Sequence, residues 1–329
     1  MTPELDWPAL VEEAVRRRRQ EGLTQRDLAA LAGVSAPTVV AFEKGQTSLR
    51  LDSALAILRV VGLAAAAGAA DPQDVFLRES RRRWERLVEH LPPGAAARQP
   101  HGSSEFNYAL DLPAHGSIAR FAEAMEAASS VRYTGWPPFW FSARSDLRPE
   151  IVDGTLECWL GRPDAKRVFE DAAHTDFWRA RPDARLYLRR GYQEDGPDLP
   201  MPGTVLDWVL PVWRAGEVAL HAATLARRLA PSDSGEIAVG LGATFSGLSG
   251  REMVSWANPL RPMPSGGRHR ARVDRAICRA TARVNELETD LATVVGRWLE
   301  PLYARFDLSL PPDLIRGELD EMRTRKRTA

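Results

Sequence analysis

Cysteine is nearly absent. Cys158 and Cys278 are the only two in 329 residues, which excludes a disulfide framework or a four-cysteine zinc site and fits a reducing compartment. Lysine is almost as scarce, at Lys44, Lys166 and Lys326, so arginine supplies nearly all of the 44 basic side chains. With the many alanines, this reads as the coding bias of a GC-rich bacterial genome. The 44 acidic side chains leave no net formal charge. No apolar run reaches the roughly 18 residues of a membrane span. The opening MTPELDWPAL lacks a basic segment followed by an apolar one, so no signal peptide is expected and the reading is cytoplasmic. The six histidines are scattered, and neither a His-Glu-x-x-His nor a Gly-x-Ser-x-Gly motif occurs. The expectation is a chain with no catalytic residues, no metal and no cofactor, and not an enzyme.

What is present is an ordinary globular composition, 44% apolar and 27% charged, long enough for two or three domains. The fold class expected is an all-α N-terminal domain followed by a larger α+β domain. Residues 1–63 read as a compact run of helices. Residues 64–104 read as a linker that carries an amphipathic helix at 74–91, with a looser stretch at 95–104. Residues 105–329 mix strand candidates (105–112, 139–143, 151–160, 185–192, 236–245 and 270–284) with helix candidates (117–129, 213–229, 286–305 and 312–325).

The strongest signal lies in residues 23–45, LTQRDLAALAGVSAPTVVAFEKG. Thr24 is a good N-cap, with Asp27 in the first turn behind it. Leu28, Ala29, Leu31 and Ala32 give an apolar face, and Ala29 is small enough for two helices to cross closely. Gly33 permits a left-handed turn. Ser35 caps the next helix, whose first turn tolerates Pro37. This stretch resembles the helix-turn-helix of the Cro/cI-type (XRE) repressors, and the continuation GQTSLRLD looks more like the HipB-type antitoxin branch. The resemblance covers about residues 7–63. It implies that the third helix projects into a major groove, with Ala36, Pro37, Thr38 and Ala41 facing bases. It also implies that Gln25 and its helix start hold a phosphate, with Lys44 and Gln46 on the flanking backbone.

The base-facing positions carry no Arg, Asn or Gln, the side chains of bidentate base contacts. Residues 1–63 also balance eight basic against eight acidic side chains. A monomer is therefore expected to bind weakly, and useful affinity to need two-fold dimers, which is the expectation, added basic segments, or recognition of DNA shape. The run Arg16–Arg19 spreads around a helix rather than facing one way. By the resemblance, Arg18 pairs with Glu43 as a structural ion pair.

In the second domain, Tyr133–Phe141 packs five aromatic residues into nine. A tryptophan-rich core is the commoner meaning. The sharper one is a wall for a small ligand, made by Trp136, Phe139, Trp140 and Phe141 with Arg275 from the arginine-rich segment 268–283. A planar or anionic effector, such as a nucleotide, suits stacking and charge. Gly240–Gly247 fits no nucleotide motif and reads as a strand-end turn. His174-Thr175-Asp176 reads as a helix start, and Glu194-Asp195 as a solvated loop. From about residue 130 the chain vaguely resembles uncharacterised C-terminal regions of bacterial helix-turn-helix proteins, which implies no activity. The reading is a homodimeric regulator, a repressor that binds a double-stranded DNA operator, with a C-terminal dimerisation and effector-sensing domain. Two alternatives stay open: an antitoxin-like protein that restrains a partner protein, and an enzyme carrying a DNA-binding targeting domain.

Overall fold

The computed structural model describes residues 6–63, 71–113, 116–166, 171–196 and 201–324. The linker expected at 64–70 and His115 lie outside them. The chain divides into two compact units, residues 1–74 and 75–329.

The first unit is a set of short helices whose ends are written locally. Asp6 accepts a hydrogen bond from the Ala9 amide at 3.0 Å and opens α1 (Trp7–Gln20). α2 (Gln25–Ala32), α3 (Ala36–Glu43) and α4 (Leu51–Val60) follow. Val11, Ala14, Leu28, Ala29, Val39, Phe42, Ala54, Ile57, Leu58 and Val61 form the buried core. Trp7 meets the Phe42 ring edge-on, with centroids 5.5 Å apart.

The second unit is a seven-stranded antiparallel sheet with helices on its faces. After α5 (Pro72–Val88) come β1 (Ser103–Leu110), α6 (Ile118–Ala128), β2 (Glu150–Val152), β3 (Thr155–Trp159), β4 (Phe177–Arg181) and β5 (Arg185–Gly191). They are followed by β6 (Val205–Asp207), α7 (Leu210–Leu229), β7 (Ala238–Ser246), β8 (Glu252–Val254) and β9 (His269–Arg270). β10 (Ala276–Arg283), α8 (Val284–Thr289), α9 (Leu291–Tyr303) and α10 (Pro312–Thr324) complete the unit. The sheet order is β10-β7-β1-β5-β4-β3-β2, and β6-β8-β9 form a small mixed sheet beside it.

Strand alternation divides the large sheet into two unlike faces. Phe106, Tyr108, Leu241, Phe245, Leu188 and Trp178 point into the main core with Trp298 of α9. The other face is polar. Glu105 stands opposite Arg189 on one side and Thr244 on the other. α5 covers part of that face, with Phe76 and Leu77 against Phe177 and Tyr187. Two carboxylates fasten it: Glu105 binds Arg81 and Arg189, each at 2.7 Å, while Glu157 binds Arg83 at 2.9 Å and Arg179 at 3.2 Å.

Several elements differ from the expectation. The strand expected at 139–143 is a loop, because Pro137 and Pro138 precede it and Phe139 takes a φ of 51° to send its ring into the core. The candidate 151–160 is a hairpin, turned at Asp153 and Gly154 with φ of 48° and 69°. The candidate at 270–284 is paired in the large sheet only from Ala276. The helix expected at 286–305 is broken at Asp290. Residues 95–104 are not loose: Arg98 ties the end of α5 through the carbonyls of Val88 and Leu91 at 2.7 and 3.0 Å, and Ser103 and Ser104 are buried. Gly240 and Gly242 lie within β7 rather than in a turn. A Cβ at Gly242 would sit 2.6 Å from Asn107 Oδ1, so glycine lets β1 place that amide there.

Candidate nucleic-acid interface

The α2–turn–α3 segment is built from three local devices. Thr24 and Asp27 cap each other reciprocally, the Asp27 amide on Thr24 Oγ1 at 3.1 Å and the Thr24 amide on Asp27 Oδ2 at 2.9 Å. Gly33 ends α2 at a φ of 65°. A Cβ there would meet no atom within 4 Å, so the backbone angle and not the space requires glycine. Ser35 Oγ then accepts the Thr38 amide at 3.3 Å and opens α3. The two hydroxyls of Ser35 and Thr38 lie 2.7 Å apart. They share one hydrogen bond, which leaves one hydroxyl hydrogen for another acceptor.

One side of α3 is buried through Val39 and Phe42, while Pro37 is exposed and Ala36, Thr38 and Ala41 are half-buried. Lys44 and Gln46, just past its end, are exposed. The structure brings Arg18 and Glu43 together: Arg18 Nε donates to Oε1 at 2.5 Å and Nη2 to Oε2 at 3.1 Å. Arg18 also donates to the Leu23 carbonyl at 2.7 Å, which ties α1 to the start of α2. Burial opposes ionisation of Glu43, but hydrogen bonds from Arg18 and Gln25 outweigh it and hold the carboxyl below its ordinary range. Arg16, by contrast, pairs with Glu13 on the helix surface, and Arg17 pairs with Glu13 while donating to the Gly62 carbonyl at 3.0 Å.

Gln25 stands differently from the expectation. Its Nε2 donates to Glu43 Oε2 at 2.8 Å, so its side-chain donor is used inside the domain. The start of α2 already carries a carboxylate, Asp27, which the Thr24 hydrogen bonds hold below its ordinary range. What α2 and α3 leave for phosphates is the exposed Arg26, Lys44 and Gln46.

The effector wall expected in the second unit is not assembled. Phe139 is fully buried, edge-on to Tyr108 at 5.8 Å and 4.8 Å from the His221 ring. Phe141 packs on Trp178 at 5.5 Å. Trp136 and Trp140 are half-buried, with centroids 4.7 Å apart, and Trp136 meets His174 at 4.4 Å. Arg275 is exposed beside the edge strand β10, with β7 and β1 between that edge and β5. The arginines at the aromatic segment are Arg190 and Arg214, which donate to the Trp136 carbonyl at 3.4 and 2.8 Å. Asp176 is not part of a helix start. It accepts from Arg190 Nε at 2.8 Å and from Trp136 Nε1 at 3.2 Å. Glu194 and Asp195 are not solvated either, at 2% and 8% exposure. These contacts come from single residues on a loop, a strand, a short turn and a helix, and of them only Trp136 stands out in the sequence.

Residues 15–66 match the family described as helix-turn-helix. Within them α2, Gly33 and α3 form an XRE-type helix-turn-helix. Over 54 residues the chain is 39% identical to an uncharacterised HTH-type transcriptional regulator of Haemophilus influenzae. That stretch is 16% of this chain, which spans about half (55%) of that relative's length. No solved structure matches the chain. Among the described residues, no helix is long and apolar enough to cross a membrane.

Proposed function

We propose that the chain is a cytoplasmic, DNA-binding transcriptional regulator, a repressor that acts as a two-fold dimer on a double-stranded operator. Support comes from the capped α2–Gly33–α3 geometry, which leaves the Ala36–Ala41 side of α3 outside the core, and from the relative's designation as a transcriptional regulator. α3 reads the major groove by shape and by contact with thymine methyls through Ala36, Pro37 and Ala41. Thr38 adds its hydroxyl. Lys44, Gln46 and Arg26 neutralise or position phosphates. A domain with so few base-specific donors gains useful affinity from two half-sites about one helical turn apart. The second unit supplies the dimer contact and senses an effector, and no catalytic step is assigned to it.

Thr38→Glu tests the assignment. It places a carboxylate against the phosphates and is expected to abolish operator binding in fluorescence anisotropy, while circular dichroism remains that of the folded protein. Wild-type affinity in this variant would overturn the groove assignment.

A further inference from the structure

The second unit holds an unusual set of buried charges around the start of α7. Arg190 pairs with Asp176, Arg214 with Glu217, and Arg251 with Asp195, all six nearly or fully buried. Asp207 is fully buried without a guanidinium. It is neutralised by the amides of Val209, Leu210 and Ala257, at 2.7 to 2.9 Å. Beside them lies a cleft of about 30 Å3, whose charged lining is Arg190, Arg214 and Glu194, with Phe106, Leu206 and Phe245 among its apolar walls.

Two of those three groups are incompletely used. Arg214 spends Nη1 on the Thr134 hydroxyl, the Trp136 carbonyl and Glu217, while its Nε and Nη2 have no acceptor among the described residues. Glu194 accepts the Asp207 amide on Oε1 at 2.7 Å, and beyond that only its own backbone amide acts on the carboxylate as a hydrogen-bond donor. Burial, then the neighbouring Arg190, pushes the Arg214 guanidinium down to about 10. Burial pushes the Glu194 carboxyl up to about 7. A guanidinium with two donor nitrogens to spare therefore stands beside an acid that keeps its proton near neutrality.

We propose that this cleft binds the head group of a small oxyanion, a carboxylate or a phosphate, with Arg214 as the cationic donor and protonated Glu194 as the neutral one. The volume admits the oxygens of a head group but not a ring, so the rest of the ligand lies outside the mouth. The apolar walls exclude water and strengthen both hydrogen bonds. An oxyanion accepts from the spare nitrogens of Arg214 and is repelled by an ionised Glu194, so binding takes up a proton as pH rises through the Glu194 value. Other groups near Glu194 are Asp195 and Arg251, Asp207, Arg190 with Asp176, Arg214 with Glu217, and His174 with Asp171 on the neighbouring turn; His101 gives its carbonyl to Arg251. Calling the cleft the effector site rests on the regulatory reading; anion binding itself does not.

The test is calorimetric titration of the full-length protein with sodium acetate and, separately, sodium dimethyl phosphate, two anions whose charge is fixed between about pH 6 and about pH 8.5, at constant ionic strength and in two buffers of different ionisation enthalpy. The expected result is saturable binding of one of the two anions, about tenfold or more weaker at about pH 8.5 than at about pH 6, with proton uptake near neutrality. The preferred anion separates a carboxylate ligand from a phosphate one. Glu194→Gln is expected to keep binding and lose both the pH dependence and the proton uptake. Arg214→Met is expected to lose binding. If that variant does not fold, Glu194→Gln decides alone, because His174 would leave the pH dependence intact. Absence of binding by both anions, or an unchanged pH profile in Glu194→Gln, overturns the proposal. Operator binding measured on the same samples reports on the regulatory reading separately.

Discussion

The two units use buried charge in opposite ways. In the first, the buried ion pair of Arg18 with Glu43 sits behind the helix-turn-helix and fixes α1 against α2 and α3. The residues that face outward from α3 are small or neutral. In the second, buried charges crowd around the start of α7, and three of their side chains line a cleft. A buried pair with every donor used serves the fold, since desolvation costs about as much as the pairing returns. A buried guanidinium with unused donors beside a raised carboxyl is the arrangement that ligand sites share.

The sharpest way to break this comparison is to remove one partner of a buried pair in each unit. Arg251→Met strands Asp195 where neither side chain is more than 1% exposed, and strips the carbonyls of His101, Val205 and Gly247 of their donor. It should cost the second unit about 3–5 kcal/mol and leave the first unit's melting unchanged. Arg18→Met should cost the first unit about 3 kcal/mol, whereas Arg16→Met on the surface should cost less than about 1 kcal/mol. Differential scanning calorimetry separates the two transitions. Equal shifts for Arg16 and Arg18 would show that the Glu43 pair has no structural weight.

A pH series sharpens the comparison further. The folded value of Glu194 lies above its ordinary 4.5, near 7. Stability conferred by the protonated form is therefore complete below about pH 4.5 and is lost as pH rises to about 7, by roughly 3 kcal/mol at most. His221 has the opposite sign. Burial lowers it to about 3, so its contribution is present above its ordinary value of 6.5 and is lost as pH falls toward 3. Glu194→Gln should flatten the second unit's profile between about pH 4.5 and about pH 7. An unaltered profile from chemical denaturation would show that Glu194 is not the group responsible. The smallest effect belongs to the first unit: Thr24→Ala should remove about 1 kcal/mol of helix capping without moving the second transition.

Legibility in the sequence follows the range of the interactions. Thr24, Asp27, Gly33 and Ser35 act within three or four residues, so the helix-turn-helix is plain from residues 23–45 alone. β4 is not, because Phe-Trp-Arg-Ala-Arg is short, offers only Trp178 and Ala180 to the core face, and carries two arginines on the other face, where Arg179 meets Glu157. The strand expected over Phe139–Ala143 fails for the converse reason: its apolar residues fold inward from a loop. The cleft is hidden because its charged groups come from β5, the turn after it and α7. The residues flanking Glu194 give no sign of burial, and turn-like sequence around Gly191 and Gly196 favours solvent.

The fastening of α5 has a geometric consequence. Arg81 and Arg83 are two residues apart, about 200° around a helix. Their carboxylate partners stand on different strands, Glu105 on β1 and Glu157 on β3, with β5 and β4 between them in the sheet. The helix is thus guyed from both flanks, and a roll that slackens one stay tightens the other. Rotation about the α5 axis is locked by the sheet beneath it, so the helix cannot swivel without leaving a buried carboxylate short of a partner.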